Sequence, residues 1–325
     1  MNTICLDSLL NTRIIAEKKT DIVLHLLAHY DINSVASNFD KHYVQYISDL
    51  KGEKASSLQE KLKEINEENL VYLSFMPAFF SSIDSLFKGL SYLSSSGNIA
   101  MTGFTETEIH GLQLLQNMFT DKMLCGLIKF SETAESEYDT FFSSYWDNNE
   151  ESYRKEMQRF VQIWETEENI KILTFLRSKG IPSIDVYLSE VMRRNGRGTR
   201  TDDSTVCTIA RIPSSNTQVF KSYYIVVHEL LHQVIDGITQ NILKIDSQQR
   251  SLNPNEEAYN IHEQIENSVI TAQHLLMGYT RKMQSEEYYA LVSEIANAEI
   301  NNEVDFYANF SLCKEMKHKL ESMII

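Results

Sequence analysis

The stretch Ile225-Val226-Val227-His228-Glu229-Leu230-Leu231-His232-Gln233-Val234-Ile235 is apolar except at His228, Glu229, His232 and Gln233. Read as a helix, it places His228 and His232 one turn apart on the same face. Two imidazoles that converge in this way can share one tetrahedral zinc ion. Glu229 is turned about 100° round the helix, off the face the histidines share. There it is poised to hold a water bound to the metal and to take its proton. The competing reading is a helix that happens to carry these three residues, but burying two histidines and a glutamate without a partner is costly. The spacing therefore predicts metal-assisted hydrolysis.

Two strand-like segments precede this helix. Ile184-Asp185-Val186-Tyr187-Leu188 alternates apolar and polar residues, the period of a half-buried strand. A loop with Gly196 and Gly198 follows, and Thr205 to Ile212 is again strand-like and stops at Pro213. Helices resume at about Val219 and continue to the end.

Upstream, Thr12 to Lys18 reads as a short strand, and Asp21 to Ala28 is apolar enough to be a helix buried on most sides. Ser34–Leu50 and Lys54–Leu70 are polar helical segments, and Pro77 should break the aromatic cluster Phe75–Phe80. Thr105–Phe130 opens with Thr105-Glu106-Thr107-Glu108, a helix N-terminal signature. Glu150–Lys179 is a long amphipathic segment, with Gly180 where a C-cap belongs. Most of the strand signal lies beyond Gly180, so a boundary is expected near 180. Residues 1–180 would form a mostly helical domain that covers the other half and walls a cleft, or that recognises a substrate or partner.

The bulk numbers agree with this outline. The chain has 325 residues, 42% of them hydrophobic, with only 11 Gly and 4 Pro, which favours long helices over a sandwich of short strands. A net charge of −15 repels phosphate backbones, so no nucleic-acid partner is expected. Arg193, Arg194, Arg197 and Arg200 form a local basic patch, read as a solvated loop. Cys5, Cys125, Cys207 and Cys313 are far apart and show no C-x-x-C spacing, which predicts free thiols and no cysteine metal site. Met1 to Leu10 lacks the features of a secretory signal, and no apolar run is long enough to span a membrane. The expected location is the cytoplasm, with no membrane association.

A catalytic zinc ion needs a third protein ligand. The Gly and third His of a metzincin would fall at positions 235 and 238, which are both isoleucine. A later helix offers an acid instead. Asn253-Pro254-Asn255-Glu256 is an N-terminal capping signal. Ala258, Ile261, Ile265, Val269, Ala272 and Leu276 then form an apolar stripe. Glu266 lies roughly 90° from the centre of that stripe, and Glu263 roughly 150° away towards solvent. Glu266 is the first choice and Glu263 the reserve. His262 stands one turn before Glu266, as a supporting partner or a substitute ligand.

These residues resemble the gluzincin, or thermolysin-like, group of zinc metallopeptidases over about residues 184–281. The shared features are the His228-Glu229-x-x-His232 helix, the preceding pair of strands and Glu266 on a following helix. The resemblance implies that His228, His232 and Glu266 bind Zn2+, that Glu229 is the general base, and that the substrate is a peptide or protein. It also implies an edge strand that pairs with an extended substrate, for which Thr205, Val206, Cys207, Thr208 and Ile209 are the candidates. A His or Tyr further on should stabilise the oxyanion. Tyr279, Tyr288, Tyr289 and Tyr307 are available, with Tyr279 and Tyr307 carried forward. The sequence departs from the pattern at Ile270, where many members have an Asp that supports a ligating histidine.

The expected fold class is α+β and predominantly helical: a helical N-terminal region, and a zincin-like half over 181–325 with a small mixed sheet. The expected function is a zinc-dependent hydrolase, a peptidase in the first instance. The rival is a helical binding or scaffold protein whose metal site is structural or inactive.

Overall fold

The computed structural model describes residues 2–7, 11–30, 39–63, 68–95, 101–118, 124–193, 196–202, 204–247, 254–278 and 285–324. Strands β1 (Asn2–Asp7) and β2 (Asn11–Ala16) come first, then helix α1 (Lys18–His29). A helical stretch follows: α2 (Lys41–Lys51), α3 (Glu53–Lys63), a 3-10 segment at Glu68–Phe75, α4 (Met76–Phe79), α5 (Ile83–Ser94) and α6 (Glu106–Met118). Then come α7 (Leu124–Glu137), a π-helical turn at Tyr138–Phe142, α8 (Ser143–Trp164) and α9 (Glu167–Ser178). Strands β3 (Ser183–Ser189), β4 (Arg197–Arg200) and β5 (Thr205–Arg211) lead into the long helices α10 (Asn216–Ser247) and α11 (Pro254–Gly278). The chain closes with α12 (Ser285–Ala296), α13 (Glu303–Asn309) and α14 (Lys314–Ile324). The architecture is mostly helical with one small mixed sheet, an α+β arrangement. No helix among the described residues is long and apolar enough to cross a membrane.

The sheet has the order β1-β2-β3-β5-β4. β2 runs parallel to β3 and β3 parallel to β5, while β1 and β4 are antiparallel to their neighbours at the two edges. The expected boundary near 180 therefore does not divide this sheet: β2 comes from the first half and pairs with β3 from the second. One continuous hydrophobic core also joins residues from both sides of that position.

β3 shows why its alternating sequence did not make it half-buried. As the central strand it is covered on both faces, and Ile184 to Ser189 are all buried. Asp185 is accommodated because Arg13, its register partner on β2, donates from Nε to Oδ1 at 2.6 Å, with a second contact from Nη2 to Oδ2. Tyr187 is covered by the Lys19 ammonium, 5.5 Å from the ring centroid.

Thr205–Ile209 is not the edge of the sheet. β5 pairs with β3 on one side and β4 on the other, so its backbone groups are already used. The edge strand beside β5 is β4, from the segment read as a glycine loop. Two further breaks differ from expectation. Glu150–Lys179 is divided between α8 and α9 at Thr166, whose hydroxyl accepts from the Asn169 N–H as an N-cap. Thr105–Phe130 contains all of α6 and the start of α7, with residues 119–123 between them outside the described set. Gly180 has φ of +83°, the left-handed conformation expected after α9. All four cysteines are free thiols, with Cys207 buried and the other three exposed.

Candidate metal centre

The site is built on α10 and α11, which pack against each other. On α10, Tyr223, Tyr224, Val226, Val227, Leu230, Leu231 and Ile235 are buried and fix the helix in the core. On α11, Ile265, Val269, Ala272 and Leu276 of the predicted stripe are buried, while Ile261 is half-buried. Asn253 and the side chain of Ala258 lie outside the described residues. Gln273 is fully buried, and its Nε2 donates to the Tyr224 carbonyl at 2.7 Å. Tyr224 is one turn before His228, and Gln273 is two turns after Glu266. This bond sets the antiparallel register that brings Glu266 across from the two histidines.

The histidine Nε2 atoms are 3.0 Å apart. Glu266 Oε2 lies 3.4 Å from His228 Nε2, and Glu266 Oε1 lies 3.5 Å from His232 Nε2. Tetrahedral ligands at about 2.0–2.2 Å from a shared ion would be about 3.3–3.6 Å from one another. The two histidine–carboxylate spacings fall in that range, and the histidine pair is about 0.3 Å closer. The three form the one such cluster among the described residues. Glu266 is 36% exposed, in keeping with a position at the border of the stripe. His262 and Glu263 are both exposed, and of the two His262 lines the cleft.

Asp236 supplies the support that Ile270 cannot. Its Oδ1 accepts from His232 Nδ1 at 2.8 Å, which leaves Nε2 bare to act as a donor atom. The signal was present in the sequence, since Asp236 is four residues after His232 on the same helix. His228 is held differently: its Nδ1 is buried and has no hydrogen-bond partner among the described residues.

The electrostatics follow from these contacts. Burial pulls His232 down, but the Asp236 bond, with the Glu266 and Glu229 charges, raises it above its ordinary value. Burial pushes Glu266 up, but the His228 bond and the His228, His232 and His262 charges hold it below the usual carboxylate range. Glu229 is raised, because burial outweighs the two histidines and Arg197.

The strand β4 presses on Glu229. A Cβ at Gly196 would stand 2.5 Å from Glu229 Cγ and 2.7 Å from Ile225 Cγ2. One at Gly198 would stand 3.0 Å from the Glu229 carbonyl oxygen. Gly196 needs glycine because its backbone lies directly against the Glu229 side chain, while Gly198 is tight against the Glu229 backbone and side chain. The cleft of about 560 Å³ over these residues is also lined by Phe75 from the first half of the chain and Ile295 from α12.

Arg197 also lines this cleft, half-buried, so it is not part of a solvated loop. Arg193 is exposed, and Arg194 is outside the described residues. Sequence reading passed over Arg197 because its two flanking glycines looked like a loop.

The tyrosines expected further on are elsewhere. Tyr288 is buried with its hydroxyl 2.7 Å from His274 Nδ1. Tyr307 carries the Lys317 ammonium 4.3 Å from its ring centroid, and the Tyr289 ring packs against Tyr288. None of the three lines the cleft, and Tyr279 is outside the described residues. The tyrosine that does line it is Tyr224, whose buried hydroxyl has no hydrogen-bond partner among the described residues.

No family model, curated protein or solved structure matches this chain.

Proposed function

We propose that this chain is a zinc-dependent hydrolase of the thermolysin-like kind, cleaving peptide amide bonds. The observation that carries the reading is the convergence of His228 Nε2, His232 Nε2 and a Glu266 carboxylate within 3.0–3.5 Å of one another, beside the half-buried Glu229. Zinc, when bound, supplies polarisation of the scissile carbonyl and lowers the pKa of water. The chain's own residues do the rest. His228, His232 and Glu266 hold the ion, and Asp236 fixes the ring of His232. Glu229 takes the proton from the attacking water and returns it to the leaving amine nitrogen. The terminal strand β4, and not β5, offers backbone groups to an extended substrate.

A binding protein with a structural ion is the competing class. Structural zinc sites are closed by four protein ligands, and the cluster among the described residues has three. That difference favours an open, reactive position.

The test is a peptide-library digest with zinc-loaded protein beside Glu229→Gln. The expected result is cleavage by the wild type, a loss of at least about 100-fold in the variant, and equal zinc content in both. Equal cleavage by both, or none by zinc-loaded wild type, would overturn the hydrolase assignment.

A further inference from the structure

Arg197 is a cation with an unassigned role. A guanidinium stays charged at any pH the protein meets. Enclosing that charge without a counter-charge is unfavourable. Arg197 is half-buried in the cleft wall, yet no carboxylate among the described residues lies within ion-pair distance of it. Of the acids in the cleft lining, Asp236 is engaged with His232 and Glu266 with both histidines, and Glu229 acts on Arg197 only through space, without an ion pair. Burial depresses Arg197 below its ordinary value, with the Glu229 charge opposing the shift.

Its position is fixed close to the reacting groups. Gly196 and Gly198, on either side of it, pack against Glu229 so tightly that neither tolerates a Cβ without displacement. Arg197 is therefore anchored on a backbone in contact with the proposed base. Arg197 lines the same cleft as the three donor atoms. The planar fork of a guanidinium matches a carboxylate in a bidentate arrangement, which a lysine cannot reproduce.

We infer that Arg197 binds a carboxylate group of the substrate, so that the cleft selects peptides presenting a carboxylate close to the scissile amide. The inference rests on the hydrolase reading for its consequence in catalysis, but the binding event does not. The carboxylate is either the C-terminal group of the peptide or an acidic side chain.

The experiment has a binding arm and a cleavage arm. Binding of N-acetylglycine, N-acetylglutamate α-amide and the neutral N-acetylglycinamide is measured by calorimetry on metal-free wild type, Arg197→Met and Arg197→Lys. The wild type should bind at least one carboxylate probe, at least about tenfold more tightly than the neutral one. N-acetylglycine winning points to a main-chain carboxylate, and N-acetylglutamate α-amide to an acidic side chain. Arg197→Met should lose that preference, and Arg197→Lys should recover it only in part. Circular dichroism and the thermal transition establish that the variants are folded, and Arg197→Lys serves if Arg197→Met is not. In the cleavage arm, matched peptides ending in carboxylate or amide, or carrying Glu or Gln, should differ in kcat/KM by about tenfold or more in the wild type alone. Carboxylate binding without any cleavage would sustain this inference and sink the hydrolase reading. Cleavage indifferent to the carboxylate would do the opposite. Failure of the wild type to prefer either carboxylate probe, or retention of the preference in Arg197→Met, overturns the inference.

Discussion

Asp236 and Gly196 have the most specific consequences of any single side chains around the cluster. Asp236 accepts from His232 Nδ1 at 2.8 Å and so decides which ring nitrogen faces the cleft. Asp236→Ala should leave the fold intact and lower metal affinity by about 10–100-fold, read by competition with a chelating dye. Unchanged affinity would mean that the bond does not orient the ring. Gly196 has no room for a methyl group, with Glu229 Cγ 2.5 Å and Ile225 Cγ2 2.7 Å from the position a Cβ would take. Gly196→Ala should destabilise the protein by about 1–3 kcal/mol in denaturant unfolding and displace the Glu229 carboxylate, with activity falling further than stability explains. Tolerance without loss of either would place β4 further from α10. At this scale the pairing of His228 with His232 was legible, because helical spacing puts them on one face, and Glu266 was legible only as a border position of the next helix's apolar stripe. Arg197 and Tyr224 were not, because their role depends on which strand and which helix turn face the cleft.

Among the elements, α1 was read as a buried helix, and Lys19 to His29 are buried. What the sequence did not convey is its polar lining. His25 lies with Nδ1 2.7 Å from the Tyr43 hydroxyl and Nε2 3.1 Å from Glu137 Oε1, and Lys51 pairs with the same carboxylate. His29 Nδ1 is 2.8 Å from the His25 carbonyl oxygen. Burial, with His25 beside it, lowers His29 from its ordinary 6.5 to about 3. A histidine held neutral in the folded state contributes stability that is present above 6.5 and lost as pH falls towards about 3, at about 1.4 kcal/mol per pH unit. Asp21, raised by burial to about 7, acts in the opposite sense over part of that range. The wild-type curve is therefore a sum, and the difference from His29→Gln isolates this site. Between pH 6.5 and 5 the wild type should lose stability faster than His29→Gln by about that slope, measured by urea unfolding. Parallel curves would mean that His29 titrates freely in the folded protein.

The strands show why local pattern is an incomplete guide. The segments of β3 and β5 were visible as strands, but alternation could not reveal that β3 is sandwiched between β2 and β5 and buried on both faces. Nor could adjacency to the motif helix identify the edge, since β4 is only four residues long and begins within a glycine-flanked stretch. The division of α8 from α9 was signalled by Thr166, but the apolar residues on either side run on through it.

On the scale of the whole molecule, the two halves separated by composition are joined by structure. β2 is laid beside β3 across a connection that contains every helix from α1 to α9. The first half also reaches the cleft directly, through Phe75. The helical half is thus part of the scaffold that holds β3, β5, β4 and then α10 in place, and the cluster depends on a fold assembled from both. Such long-range pairing is what a single sequence conveys least, because it rests on contacts between residues as far apart as Arg13 and Asp185.

The central claim is that α10 and α11 together hold one ion. Elemental analysis of purified wild type, Glu266→Ala and Glu263→Ala, each after zinc reconstitution and removal of unbound metal, tests it directly. About one zinc per chain is expected in the wild type and in Glu263→Ala, with a large loss in Glu266→Ala. No zinc in the wild type, or full retention in Glu266→Ala, would contradict the site described.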